Sequence, residues 1–255
     1  MATTIAVLVL LAVGTDPSRL DDLRHRAESA FEAGLAAEEG SSARAHFRQA
    51  ARLYREIRDQ GIENVDLYRN LANASLCAHD YPLAILAYRR GLALTPYDSE
   101  LRNNLSLARA RCDGTSLQPV YDWWPMTIAA WPTSPWLLAI DYGLFLVLCA
   151  LWVGDWTIPK RTAWLITMGC ACMALSLALA VRIAREREDR LFPIVIVSED
   201  DILLRKGNGL AYPPQNDVPI FRGAEARLLA ERHGWVKIKL ESGQTGWAPR
   251  NGILR

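Results

Sequence analysis

The longest apolar runs of the chain lie in its middle, at Pro135–Val153 and Thr162–Val181. Each run has about the 20 residues that a helix needs to cross the roughly 30 Å hydrocarbon core of a bilayer. The segment between them, GDWTIPKR, carries a glycine, a proline and two adjacent cations, which end a helix and favour contact with water. Seven of the nine tryptophans fall between 118 and 192, as is typical of membrane–water interfaces. This pattern predicts a two-helix transmembrane hairpin.

A shorter apolar run, Ile5–Val13, stands near the N-terminus and ends in small residues at the spacing that signal peptidase accepts. We therefore expect residues 1–14 to be a signal peptide. Lys160 and Arg161 favour a cytoplasmic loop between the spans, although four arginines after the second run favour the opposite orientation. The predicted location is the bacterial inner membrane, with two spans and with both soluble parts on the periplasmic side.

Between 16 and 113 the apolar residues recur at helical spacing, most clearly in VDLYRNLANASLCAHDYPLAILAYRRGLALTP. This window resembles a tetratricopeptide repeat (TPR), a helix–turn–helix unit of about 34 residues. The resemblance implies that small residues let the two helices approach closely, that aromatic residues fill the grooves, and that a proline ends the second helix. Ser75 and Gly91 depart from the tyrosine and alanine that are usual there. The residues expected to pack the repeat are Tyr68, Leu71, Ala72, Ala84, Tyr88, Gly91 and Pro96.

The repeat pattern is weaker on both sides of this window. Ala50 and Tyr54 stand one repeat length before Ala84 and Tyr88, whereas the polar stretch Ser99–Arg111 predicts a helix that caps the stack towards solvent. About two repeats are fewer than the three or so that usually stand alone, so we expect this segment to pack against a partner, a second copy or the membrane surface. The family implies a concave face that binds peptides; a spacer or a dimerisation face is the alternative.

After Pro193 the pattern changes to short β-rich runs separated by Gly, Asn and Asp, and RHGW and ESGQTGW are typical of hairpin turns. Residues 193–255 resemble a bacterial SH3-like domain, which implies a small all-β barrel. In such a barrel Trp235, Gly246 and Trp247 are packing residues, or else the tryptophans line a groove for a cell-wall or protein peptide, with AYPPQND as a flexible lip. The residues that carry the resemblance are Arg205, Gly207, Gly223, Trp235 and the closing Gly246-Trp247-Ala248-Pro249.

Composition and charge narrow the classes of function. With 29 basic and 28 acidic residues there is no electrostatic reason to expect a nucleic acid as partner. The four histidines are not at ligand spacing, and three of the five cysteines fall in the apolar runs, so we expect no metal, no cofactor and no disulfide framework. Cys77 and Cys112 could pair only if the fold brings them together. Asp141 is either an intramembrane polar contact to another protein or a carboxylate near headgroup depth.

The order of these parts resembles that of the TPR/SH3 membrane protein encoded in bacterial aerotolerance (Bat) operons. The fold class so predicted is a multidomain membrane protein with an all-α repeat, a transmembrane hairpin and a small all-β barrel, joined by linkers at 114–134, 154–161 and 182–192. The resemblance implies a non-catalytic scaffold or adaptor in an envelope complex linked to stress tolerance, with other membrane proteins as partners or as a homo-oligomer. The alternatives are an envelope sensor that binds cell-wall peptides and a component of a membrane transporter. No nucleophile stands beside a base in the sequence, so we expect no enzyme.

Overall fold

The computed structural model describes residues 17–112 and 191–255, together with single positions between 143 and 187. Residues 17–112 are called the helical unit below, and residues 193–255 the sheet unit. The predicted signal peptide, the linker at 114–134, Asp141 and the loop at 154–161 lie outside the described residues, as does most of the linker at 182–192.

Five α-helices form the helical unit, and each packs against the next one along the chain. The pairs α1–α2 and α3–α4 are helical hairpins, and α2–α3 and α4–α5 join them into one layered stack. Their bounds are α1 Pro17–Ala36, α2 Ser41–Asp59, α3 Val65–Cys77, α4 Tyr81–Leu94 and α5 Ser99–Arg111.

Two of these helices begin at a side-chain cap. Asn64 precedes α3, and its Oδ1 accepts a hydrogen bond of 2.8 Å from the backbone N–H of Leu67. Asp98 precedes α5 and accepts in the same way from Leu101, at 3.1 Å. Each cap satisfies one of the N–H groups that the first turn of a helix leaves without an intrahelical partner.

The turn between α3 and α4 is a Schellman motif. Its left-handed position is taken by His79, with φ of 62°, where glycine is the usual residue. The N–H of His79 donates to the carbonyl of Leu76 at 3.1 Å, and the N–H of Asp80 donates to that of Ser75 at 2.9 Å. These two bonds end α3 and set the direction in which α4 leaves it.

Helix α4 is the central element of the structure. All residues from Pro82 to Tyr88 are buried, so the helix has no solvent-facing side over this length. A helix that is apolar all round needs neighbours on every side. Helices α3 and α5 cover part of α4, and the sheet unit contacts it through its first and last strands.

The sheet unit is built on one antiparallel sheet of five strands with the order β4-β3-β2-β1-β5. A two-residue turn, His233-Gly234, joins β2 to β3, and both residues have positive φ (47° and 78°), as a type I′ turn requires. The RHGW turn predicted from the sequence is therefore confirmed. The strand bounds are β1 Ile194–Val197, β2 Glu225–Arg232, β3 Trp235–Leu240, β4 Thr245–Pro249 and β5 Ile253–Leu254, with a short 3₁₀ helix at Arg250–Gly252.

Strand β1 is covered on both of its faces. Val195 and Val197 belong to the core of the sheet unit, whereas Ile196, fully buried, belongs to the core of the helical unit. Ile194 and Leu254 pack against the helical core from the same side. Because successive side chains of a strand point to opposite faces, the IVIV run supplies apolar groups to both cores at once.

No helix in the described parts of the chain combines the length and the apolar composition that a membrane crossing requires. Helices α1 and α2 have 20 and 19 residues and are long enough, but both carry charged side chains along their length. This finding contradicts the predicted transmembrane hairpin, and with it the membrane fold class, the membrane-integral character and the inner-membrane location. Of the runs 135–153 and 162–181, the structure describes Gly143 and nine positions between 169 and 181.

Candidate interaction site at the junction of the two units

One buried carboxylate connects the two units. Glu225, the first residue of β2, receives Arg89 from α4 and Arg109 from α5. The Arg109 Nε donates to Oε1 at 2.7 Å and the Arg89 Nε donates to Oε2 at 2.7 Å, so each carboxylate oxygen has its own guanidinium group. The Arg89 Nη2 also contacts Oε2. The side chain of Glu225 is 11% exposed, and those of Arg89 and Arg109 are 28% and 14% exposed.

The two arginines keep Glu225 charged. Burial by itself would raise the pKa of this carboxyl group, but the charges and hydrogen bonds of Arg89 and Arg109 outweigh burial and hold the pKa below its ordinary value. A second, more exposed contact lies nearby, between Asp80 at the start of α4 and Arg222, whose Nη2 is 3.7 Å from the Asp80 Oδ1. Charge pairing therefore fixes the sheet unit against two successive helices.

A cavity of about 230 Å³ opens beside these ion pairs and is called the junction cavity below. Ile85, Arg109 and Cys112 line it from the helical unit, whereas the rest of its wall comes from the sheet unit. It is smaller than the roughly 300–1,000 Å³ of typical small-molecule pockets, which suits one or two side chains of a bound peptide. The sheet-unit wall consists of Asn216, Val218, Pro219, Ile220, Phe221, Gly223, Ala224, Glu225, Leu240, Glu241, Ser242 and Gln244.

The rim of the junction cavity exposes apolar side chains. Val218 is 69% exposed and Phe221 is 39% exposed, and both line the cavity. Glu241, Ser242 and Gln244 add polar groups to the wall of the cavity. An apolar patch with a few polar groups around it is the usual composition of a surface that binds another molecule.

Gly223 lets the helical unit approach closely at this place. Its φ is 86°, and a Cβ atom there would lie 2.4 Å from the Cys112 Sγ. A larger residue would therefore strain the backbone and push the end of α5 away from the sheet unit. Gly223 was recognised in the sequence as part of the SH3-like pattern, and in the structure it serves the contact between the units.

Six of the seven residues expected to pack the helical repeat are buried. Tyr88 is fully buried, burial raises its pKa, and its hydroxyl donates to the Asn73 Oδ1 at 2.6 Å. Gly91 faces α5, where an added Cβ would lie 3.0 Å from the Leu101 Cδ1. The other buried members are Tyr68, Leu71, Ala72 and Ala84, while Pro96 is half-buried after the end of α4.

One residue of the predicted cap Ser99–Arg111 lies in an environment that the polar pattern does not predict. Helix α5 has the predicted bounds, but Arg109 is turned towards Glu225 and almost covered. A polar residue at this position predicts contact with solvent, whereas Arg109 belongs to a buried ion pair. Other residues of α5, such as Asn103 and Ser106, are exposed, as expected of a helix that caps the stack.

Trp235 and Trp247 lie on the outer face of the sheet. On β3 the buried positions are Val236 and Ile238, and on β4 they are Gly246 and Ala248. Trp235 and Trp247 alternate with these positions and are therefore half-buried on the opposite face. Gly246 faces the core, where a Cβ would lie 2.7 Å from that of Leu204. None of the three lines the junction cavity.

The AYPPQND segment is held to the sheet unit by backbone hydrogen bonds. The N–H of Gln215 donates to the carbonyl of Leu204 at 2.7 Å, and Arg205 pairs with Pro214. The Arg205 Nη1 also donates to the carbonyl of Tyr212 at 2.7 Å. Residues 212–215 of the predicted flexible lip are therefore bonded to the sheet unit, and Asn216 reaches the junction cavity.

Glu225, Arg89 and Arg109 were not singled out by sequence reasoning. Two sequence signals pointed towards their environment: the unbroken apolar stretch at 82–88 within a helical pattern, and the IVIV run of β1. Each indicates an element that is covered on all sides. Among the described residues no group of three or more His, Cys, Asp or Glu side chains is placed to hold a metal ion. Cys77 and Cys112 do not form a disulfide with each other.

Comparison with protein-family models, with curated proteins and with solved structures found no match for this chain.

Proposed function

We propose that this chain is a non-catalytic adaptor that binds a segment of another protein at the junction cavity. The observation that carries the proposal is the cavity itself, which is lined by both units and rimmed by the exposed side chains of Val218 and Phe221. Apolar side chains that stay exposed beside a concave surface lower their free energy when a partner covers them. The sequence resemblance to TPR and SH3-like domains, which are both interaction modules, agrees with this function.

A ligand in the junction cavity would contact both units at once. Arg109 and Glu225 are part of the cavity wall and also part of the ion pairs that join the units. Binding there is therefore coupled to the relative placement of α5 and β2. An adaptor with this arrangement stabilises its own two halves when its partner is bound.

Site-specific photo-crosslinking in the intact chain tests the proposal. A photoreactive phenylalanine analogue is placed at position 221 in cells that make the full chain, and the matched control carries it at Leu35, an exposed residue of α1. We expect a discrete adduct with another protein at position 221 and none at position 35, and we expect Val218→Asp to weaken the adduct. No adduct at position 221, or the same adducts at both positions, would rule the site out.

The Bat-operon resemblance, the link to stress tolerance and the cell-wall sensor stay predictions. The sensor differs from the adaptor in its ligand, so cosedimentation of the full chain with purified cell wall separates the two. The transporter alternative required two spans and a dimer with paired Asp141 residues, and it loses its basis with the predicted hairpin.

A further inference from the structure

A second concave surface lies on the helical unit, between α2 and the start of α4. Its volume is about 270 Å³, and it shares no lining residue with the junction cavity. Three arginines of α2, at positions 48, 52 and 55, line it, together with small apolar side chains and a single carboxylate, Asp80. We call this surface the arginine groove; its remaining lining residues are Ala45, Ala51, Ala78 and Leu83.

The three arginines lie on one face of α2. Positions four and three residues apart are neighbours on a helix, so Arg48, Arg52 and Arg55 form one row about 10 Å long. None of the three forms an ion pair with a described residue, whereas the other two arginines of α2 are engaged. The Arg44 Nε donates to the carbonyl of Gly40, and Arg58 pairs with Asp59. Asp80, the single carboxylate of the groove, is paired with Arg222, so the row consists of three like charges whose mutual repulsion a bound anion would relieve.

Two further observations favour an anionic ligand in the groove. In the part of the chain that the structure describes, the Arg55 Nε is buried and has no hydrogen-bond acceptor. A buried donor without an acceptor is unfavourable, and a bound carboxylate would supply one. The groove also reaches the N-terminus of α4, where Asp80 makes no side-chain capping hydrogen bond. The positive end of the dipole of α4 is thus open to a second negative charge.

We propose that the arginine groove binds an acidic segment of a partner protein, in which two or three Asp or Glu side chains pair with Arg48, Arg52 and Arg55. The spacing fits such a segment: the rise from Arg48 to Arg52 is about 6 Å, and alternate side chains of an extended peptide are about 6.6 Å apart. Guanidinium groups bind carboxylates with two parallel hydrogen bonds, which favours arginine over lysine at this place.

A nucleic acid fits the surroundings less well. Helix α1 packs directly against α2 and carries Asp21, Asp22, Glu28 and Glu32, and the whole chain has a net charge of only +1. A phosphate backbone needs a long basic stripe, whereas the row extends over only about 10 Å. A short acidic peptide occupies only the row itself.

The test measures binding of the full chain to a fluorescein-labelled peptide with three glutamates at alternate positions between alanines. Its neutral counterpart carries glutamine at the same three positions. The groove variant replaces Arg48, Arg52 and Arg55 by Gln. The matched control replaces Arg19, Arg24 and Arg26 of α1 by Gln; it removes the same net charge, but from arginines that already pair with carboxylates.

We expect the groove variant to weaken binding of the acidic peptide by at least tenfold and the control variant by less than twofold, with the neutral peptide not bound by any form. Circular dichroism of both variants checks that the helices remain folded. The proposal is overturned if both variants lose affinity equally, since net charge and not the groove would then be responsible. It is equally overturned if the acidic peptide does not bind to the wild-type chain, or if a single-stranded oligonucleotide binds more tightly than the peptide and loses affinity in the groove variant.

The peptide-binding experiment on the arginine groove does not depend on whether the junction cavity binds a partner. Photo-crosslinking at position 221 tests the adaptor function without involving α2, so a failure of either proposal leaves the other measurable.

Discussion

Replacing Glu225 by glutamine tests the contact on which the arrangement of the two units depends. The substitution keeps the shape of the side chain and removes its charge, so that Arg89 and Arg109 lose their common counter-ion. Breaking a buried ion pair by removing one partner costs about 3–5 kcal/mol. Arg89 is 28% exposed and keeps Glu241 at 4.0 Å, which reduces the loss, so we expect a decrease of about 2–3 kcal/mol in the free energy of unfolding.

Urea unfolding of the full chain, followed by far-ultraviolet circular dichroism, measures this decrease. Hydrogen exchange with mass spectrometry then localises it, because amides of α4 and β2 should lose protection together if the ion pairs join them. The matched control is Glu231→Gln on the same strand. Glu231 is 46% exposed and pairs with Arg250 at 3.2 Å on the surface, where an ion pair contributes at most about 1 kcal/mol. If Glu225→Gln costs no more than Glu231→Gln, the buried contact does not hold the units together.

The same contact makes stability depend on pH in a defined direction. Since the native pKa of Glu225 is below its ordinary value of 4.5, the carboxylate stabilises the fold fully at pH values above 4.5. This stabilisation is lost as the pH falls from there through the native pKa. The difference in free energy between the wild type and Glu225→Gln should therefore be constant around pH 7 and should shrink in acid. A difference that stays the same down to pH 3 would contradict the assignment of the shift to Arg89 and Arg109.

Further substitutions test local features of both units. His233→Asn should raise the free energy of unfolding by about 0.5 kcal/mol or more, because asparagine adopts left-handed backbone more readily, and an unchanged thermal midpoint would argue against this. Gly246→Ala should lower it by about 1–3 kcal/mol, since the new Cβ meets Leu204; a wild-type urea curve would show that the strands can move apart. Asn64→Ala should cost about 1 kcal/mol through the lost cap of α3, whereas Asn64→Ser should restore most of it. Burial raises the pKa of the Cys77 thiol, so its alkylation at pH 8, followed by peptide mass spectrometry, should be much slower in the native chain than in urea, and equal rates would refute this.

Local patterns in the sequence were sufficient for most of the secondary structure. The spacing of apolar residues and the cap at Asp98 place α5 at Ser99–Arg111, and the His233-Gly234 pair places the turn between β2 and β3. Each of these features depends on residues within about one turn of one another. Such signals can be read without knowing what lies across the molecule.

The junction could not be predicted because its partners are far apart along the chain. Arg109 and Glu225 are separated by 116 residues, and Arg89 and Glu225 by 136. No local pattern shows that a polar side chain at a helical core position will find a carboxylate there. The membrane prediction was wrong for a related reason. It rested on the length and apolarity of two runs, and these properties are necessary for a membrane-spanning helix but not sufficient to identify one.

The position of Ile196 determines whether the helical unit and the sheet unit can be separated. Its side chain belongs to the hydrophobic core of the helical unit. Separating the two units would therefore expose apolar surface on both of them. We therefore expect that neither unit folds stably when it is fused to another protein without the other unit. A chain truncated after α5 would expose apolar surface and would be prone to aggregation and proteolysis.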